Sequence, residues 1–234
     1  MTDLVIDVAD ARRIDATAIE RLGIPGLLLM EHAAIGVATI VRREAAIHGL
    51  RRLRVLVGNG GNGGDGWAVA RLLHLAGLDV EVHELGGTVT SLDASTNRTI
   101  ARALGIPNRR LVPDEIGLDA ETLIVDAMFG IGLGRPLEGI AAEVAPRIEA
   151  SPAVVVAVDV PSGFDATVGR PPGIAMRADV TATMVAPKRG MMLEGAERWI
   201  GRIETVDIGI PLDFVLQIVG LAQSHPVDDT VARD

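Results

Sequence analysis

The sequence predicts a single α/β domain with a mostly parallel sheet and helices on both of its faces. Apolar strand-like runs alternate with segments of helical spacing along most of the 234 residues, and strands that alternate with helices pair in parallel. A glycine-rich segment, Gly58 to Gly66, falls between the first buried strand and a helix, where open α/β sheets bind ligands. The length suits one domain over residues 1–223, followed by a polar tail over 224–234.

The elements follow in order. Val8, Ala11, Ile14, Ala18 and Leu22 recur at helical spacing, and Gly23-Ile24-Pro25 is a stop signal. A second helix is expected from Gly26 to about Arg43, with Leu27, Met30, Ala33, Ala34, Val37, Ala38 and Val41 on its apolar side. Leu53 to Val57 reads as a buried strand, and the helix after the glycine segment carries Val69, Leu72, Leu73 and Ala76. Further strands are expected at Val80 to Leu85, Thr122 to Met128, Ala153 to Val160, Val180 to Ala186 and Ile203 to Ile208. Helices are expected at Ser91 to Leu104, ending at Gly105, and at Leu137 to Glu149.

Composition narrows the function classes. The chain is 48% hydrophobic and 23% charged, enough to bury a sizeable core. Its net charge of -9 argues against a nucleic-acid surface, which needs clustered cations against phosphate. Cysteine is absent, which removes disulfides, thiolate metal sites and thiol nucleophiles. Tyrosine is absent as well, and Lys188 is the sole lysine, so any Schiff-base chemistry would have to use it. Met1-Thr2-Asp3-Leu4 lacks a basic start with an apolar core, and no long uninterrupted apolar run occurs. Neither a signal peptide nor a membrane span is expected, and a cytoplasmic location is.

The segment Gly58-Asn59-Gly60-Gly61-Asn62-Gly63-Gly64-Asp65-Gly66 offers free backbone N–H groups at a helix start, where anions bind. Gly58, Gly60 and Gly63 fit G-x-G-x-x-G, so a plain dinucleotide-binding fold, with Glu84 as the ribose partner, stands as one alternative. Asp65 counts against it, because a carboxylate there would repel a pyrophosphate; the asparagines suit a cation or a hydroxyl instead. Two other strands end in carboxylates beside glycine-containing loops, Asp126 ahead of Met128-Phe129-Gly130-Ile131-Gly132 and Asp159 ahead of Pro161-Ser162-Gly163. Each follows an apolar run and is costly there unless paired, solvated or bound to a cation. With the Asn-rich loop they predict one shared site for a hard cation, sodium, potassium, magnesium or calcium. Taken singly, each Asp could merely cap a helix or form a turn. The histidines are scattered; His74 falls in a helix and His83 in a strand, and both are expected to be packing or surface residues.

These residues together resemble the YjeF N-terminal-domain family, the NAD(P)HX epimerases. The resemblance is carried by Leu29-Met30-Glu31-His32-Ala33-Ala34, the glycine segment, Asp126 to Gly132, Val158 to Gly163, Ala178-Asp179-Val180-Thr181-Ala182-Thr183 and Ala186-Pro187-Lys188. In the family's order these span roughly residues 8 to 211. The resemblance implies a Rossmann-like three-layer α/β/α sandwich, often a homodimer, that interconverts the R and S forms of hydrated NADH and NADPH. It implies a potassium ion held by Asn62, Asp126 and Ser162. It implies substrate contacts at Gly61, Asn62, Gly63, Gly64 and Asp65, at Gly130, Ile131, Gly132, Leu133, Gly134, Arg135 and Pro136, and at Asp159. Asp159 is expected to be the acid–base group, with Asp126 mainly holding the cation. A separate dehydratase is the expected partner acting on the product. Gly61 stands where the family has Asn, which removes one side-chain contact; His32 and Ala34 replace Asn and Gly, and Arg189 replaces a frequent Pro. The rival functions are a non-catalytic binding scaffold of the same fold and an NAD(P)-dependent oxidoreductase.

Overall fold

The computed structural model describes residues 4–221; the tail expected from Ser224 lies outside the described residues. Seven strands form one sheet in the order β3-β2-β1-β4-β5-β6-β7: β1 (Arg52–Val57), β2 (Asp79–Glu84), β3 (Asn108–Arg110), β4 (Thr122–Ala127), β5 (Val154–Val158), β6 (Val180–Met184) and β7 (Arg202–Val206). All six neighbouring pairs are parallel. The helices are α1 (Val8–Leu22), α2 (Gly26–His48), α3 (Gly61–Leu75), α4 (Leu92–Ala103), α5 (Gly139–Glu149), α6 (Glu197–Ile200) and α7 (Leu212–Ile218).

The central strands are buried on both faces, and their alternate residues feed two cores. Val55, Val57, Leu123 and Val125 pack with α2 and α3 in one core. Leu56, Ile124, Val155 and Ala157 pack with Val144 and Ile148 of α5 in the other. This two-sided burial follows from side chains alternating across a strand. A smaller cluster joins Ile14 and Ala18 of α1 to Leu29 of α2 and Val215 of α7, so α1 lies over one end of the molecule.

Two expectations need correcting. The second helix runs on to His48, not to Arg43, because Glu44 and Ala45 extend its buried side and Gly49, at φ +66°, supplies the left-handed end. Buried Glu44 is satisfied by Arg202 at 2.6 Å and Arg43 at 3.0 Å. The glycine segment is only partly a loop, since α3 starts at Gly61. Strand β3 and helix α7 gave no signal: β3 has three exposed residues at the sheet edge, and α7 is a single short stretch after Pro211.

The glycines of α3 are explained by proximity. A Cβ on Gly66 would stand 2.5 Å from Ala127 Cβ and 2.9 Å from a Val57 methyl, and one on Gly63 would overlap the Gly58 carbonyl. The helix therefore lies directly on the Ala127 and Val57 side chains and on the Gly58 backbone. Ala34, where the family has Gly, is wholly buried in the core. The closest approach of α2 to β7 comes instead at Gly36, where a Cβ would overlap Val206.

Gly66→Ala should lower stability by about 1–3 kcal/mol, because neither neighbour can withdraw without moving a strand. Gly61→Ala, with open space around its Cα, should stay within about 0.5 kcal/mol of the parent. Urea midpoints of the two variants check this contrast.

Candidate active site

The strand order reverses between β1 and β4, and the crevice outside their carboxyl ends is where an open α/β sheet holds a ligand. A cavity of about 670 Å³ opens there, within the usual range for small-molecule sites. Its walls are Gly60, Gly61, Asn62 and Asp65 from the start of α3, Met128 to Leu133 after β4, Asp159 after β5, and Lys188. Helix α1 adds Arg12 and Asp15, and α2 adds Leu29 and Met30.

Asp126 sits beneath this cavity, fully buried near the end of β4. Its Oδ2 accepts the Ser162 backbone N–H at 2.7 Å, and its Oδ1 accepts the Ser162 hydroxyl at 2.6 Å and the Met128 N–H at 3.3 Å. Ser162 Oγ in turn accepts the Phe129 N–H at 2.9 Å. Burial drives the Asp126 carboxyl up to about 6, against the pull of the Ser162 hydrogen bonds. All its hydrogen-bond donors are neutral, and no cationic side chain pairs with it among the described residues. In the first turn of α3, the Asn62 amide nitrogen is buried without a hydrogen-bond partner. Rotating that amide would present its oxygen instead. A desolvated carboxylate, a hydroxyl oxygen and an unsatisfied amide are a donor set that fits a hard monovalent cation.

Asp159 terminates the neighbouring strand with a left-handed backbone, φ +67°, a conformation costly for a residue with a side chain. Its N–H bonds the Ala182 carbonyl at 2.8 Å. Lys188 Nζ donates to Asp159 Oδ1 at 2.5 Å, and the Thr183 hydroxyl stands 3.4 Å from the same oxygen. The other oxygen, Oδ2, faces Gly130: a Cβ there would lie 3.4 Å from it and 3.0 Å from Asn62 Oδ1. Gly130 thus leaves space where Asn62 and Asp159 converge.

Two more carboxyls share the cavity. Withdrawal from water pushes Asp65 well above the usual carboxylate range, and the charges of Asp159 and Asp15 push it further. Asp15 is exposed as a residue, yet loss of water around its carboxyl at the cavity mouth, with Asp159 opposite, raises it to about 6 against the attraction of Lys188. Burial and the neighbouring carboxyls thus both favour the protonated form of Asp65, which lessens the repulsion that its position first suggests.

The structure brings Gly61, Asn62, Asp65, Gly130 to Leu133 and Asp159 together at the cavity, with Asp126 and Ser162 below. Gly63 and Gly64 do not line it; both are buried against their own framework, Gly64 beside Ala94 and Met30. Gly134, Arg135 and Pro136 lie outside its walls and are exposed, with Arg135 paired to Glu138 at 2.5 Å. Glu84 is engaged by Arg98 at 2.6 Å and Arg102 at 2.7 Å, so the ribose partner of a plain dinucleotide fold is taken up in holding α4. His32 is exposed and borders a groove beside β7, away from the cavity. His83 is a wholly buried packing residue, and burial lowers its pKa. Sequence reasoning missed Asp15 and Arg12, which look like ordinary polar positions on an amphipathic helix; Arg12 donates to the Ile131 carbonyl at 3.0 Å and ties α1 to the loop. It also gave Lys188 no role beside Asp159, although a sole lysine in the Ala186-Pro187-Lys188 motif was a usable signal.

Residues 26–190 match the family model described as YjeF-related protein N-terminus. An NAD(P)H-hydrate epimerase of Limosilactobacillus fermentum is 39% identical over 210 residues, covering 88% of this chain and 98% of that one. The protein of the same name from Levilactobacillus brevis is 40% identical over 206 residues, with 88% and 94% covered. That from Rhodopirellula baltica is 37% identical, with 88% and 84% covered. The crystal structure of a yeast protein, YNL200c, superposes with a TM-score of 0.78 at 23% identity, over 92% of this chain and 93% of that one, and so shares the fold.

The raised Asp15 carboxyl has a testable consequence. The folded chain keeps this proton at a pH where the unfolded chain has released it, so the group favours folding at low pH. That preference is lost as pH rises from about 4 to about 6. Asp15→Asn should therefore be the more stable protein above pH 6, with the difference shrinking toward pH 4. Urea unfolding of both proteins across that range measures it.

Proposed function

This chain belongs to the YjeF-related N-terminus family, and we propose that it is an NAD(P)H-hydrate epimerase, interconverting the R and S forms of hydrated NADH and NADPH. The observation that carries this reading is Asp159. It is a strained carboxylate lining the cavity, with one oxygen fixed by a buried ammonium and the other facing Gly130 and Asn62. Its relatives' names supply the substrate class. The epimerised carbon carries a hydroxyl and the ring nitrogen. Nitrogen can expel the hydroxyl as water, or the ring can open to an aldehyde; both flatten the carbon, and return of water or closure of the ring on the other face inverts it.

Either route moves a proton at this oxygen: expulsion adds one to the leaving hydroxyl and takes one from the returning water, whereas ring opening takes the hydroxyl proton as the nitrogen gains one from solvent, and closure reverses both. Asp159 Oδ2 would do this, and such general acid–base catalysis is worth about 10²–10⁴-fold. Gly61 and the loop from Gly130 to Leu133 would lie along the substrate. Gly63, Gly64 and Gly134 to Pro136 belong to the same two segments and would shape them. Asn62, Asp126 and Ser162 would hold a potassium ion, which would neutralise the buried carboxylate and fix the two loops. A homodimer, a separate dehydratase acting on the product and a cytoplasmic location go with this reading. Among the described residues no helix is long and apolar enough to cross a membrane.

Given the R epimer of hydrated NADH, the protein should produce the S epimer faster than the spontaneous reaction, as followed by chromatography. Asp159→Asn should bring the rate down to background while its circular dichroism stays that of the parent. Parental turnover in that variant would remove Asp159 from the chemistry. For the cation, melting in potassium chloride should exceed melting in tetramethylammonium chloride. A ligand at about 100 times its Kd adds about 2.7 kcal/mol, and the difference should vanish in Asp126→Asn.

A further inference from the structure

Lys188 is the sole lysine of the chain, and its side chain is only 1% exposed. A buried ammonium is costly unless each of its N–H groups is matched. Here all three are: to Asp159 Oδ1 at 2.5 Å, to Thr183 Oγ1 at 2.7 Å and to the Met184 carbonyl at 3.1 Å. The segment that carries it is pinned on both sides. The Ile6 N–H donates to the Pro187 carbonyl at 3.0 Å, and the Arg189 N–H donates to the Ile6 carbonyl at 2.8 Å. The ammonium therefore has a fixed place and no spare direction from which to attack a carbonyl.

The same contacts divide the two oxygens of Asp159. Oδ1 takes Lys188 and lies next to the buried Thr183 hydroxyl, whereas Oδ2 looks toward Gly130 and Asn62. Asp159 is also held in a left-handed backbone conformation, which persists only where the surroundings impose it. We infer that Lys188 and Thr183 are a positioning pair. Together they clamp Asp159 through Oδ1, so that Oδ2 alone is presented to the substrate for proton transfer. Thr183 sets the ammonium, and the ammonium sets the carboxylate. This rests on Asp159 being the acid–base group.

The test is the steady-state rate of epimerisation, corrected for the spontaneous reaction, in Asp159→Asn, Lys188→Met, Thr183→Val and Thr183→Ser. A lost clamp leaves substrate binding alone and misplaces the reacting oxygen. Lys188→Met should thus lower kcat about 100-fold, and Thr183→Val about 10-fold, within the span that acid–base catalysis supplies. KM should move less than about threefold in both, since uniform binding is untouched. Thr183→Ser, which keeps the hydroxyl, should recover most of the kcat lost in Thr183→Val. Unchanged kcat in Lys188→Met and Thr183→Val, a parallel rise of KM, or no recovery in Thr183→Ser would each overturn the inference. Should Lys188→Met fail to fold, the two Thr183 variants decide. Loss of turnover in Asp159→Asn with full turnover in Thr183→Val would refute the clamp and keep the acid–base assignment; full turnover in Asp159→Asn would refute that assignment.

Discussion

The contact on which the rest of the structure depends is that of the first turn of α3 against the ends of β1 and β4. It is closer than side chains permit. A Cβ on Gly58 would overlap the Met128 carbonyl, one on Gly63 would overlap the Gly58 carbonyl, and one on Gly66 would press on Ala127. With hydrogen in place of Cβ, the helix settles onto the strands and carries Asn62 and Asp65 over the crevice. Added bulk would lift the helix and separate Asn62 from the elements that bear Asp126 and Asp159. The glycines thus serve first as packing residues. Between Gly58 and Gly66, only Gly60 and Gly61 have open space on the cavity side.

The second constraint is charge. Asp15, Asp65, Asp126 and Asp159 lie in or under one cavity of a protein with net charge -9. Four ionised groups there would repel one another and an anionic dinucleotide alike. Each is handled separately. Asp65 is pushed up by burial and by Asp159 and Asp15, and Asp15 is raised at the rim. Asp126 accepts hydrogen bonds from the Ser162 backbone and hydroxyl. Asp159 alone has an ammonium. Environments that separate the proton affinities of neighbouring carboxyls are how a site assigns acid and base roles.

Much of this was legible in the chain itself. The alternation of apolar runs and helical spacing gives the parallel sheet, and strand-end Asp126 and Asp159 beside glycine loops mark one end of it as the site. The ordered motifs point to the family. Boundaries were less legible. The helix after Pro25 continues past a basic pair because Glu44 finds Arg202 from β7, a partner 158 residues away. Strand β3 exists by pairing with β2 and not by any pattern of its own. Glu84, suited on paper to a ribose, is occupied by Arg98 and Arg102 of the next helix.

The sequence by itself therefore determined the fold class, the end of the sheet that carries the site, and its two strand-end carboxylates. Those properties follow from local periodicity and from what a residue type costs at the end of an apolar run. Tertiary structure alone decided which charges meet. Asp15 enters the cavity from a helix that precedes the glycine segment by some forty residues, and Lys188 reaches Asp159 across 29 positions. Such pairings depend on how strand order and crossovers fold distant segments onto one edge, and the proton affinities they set depend on burial, which no single position along the chain contains.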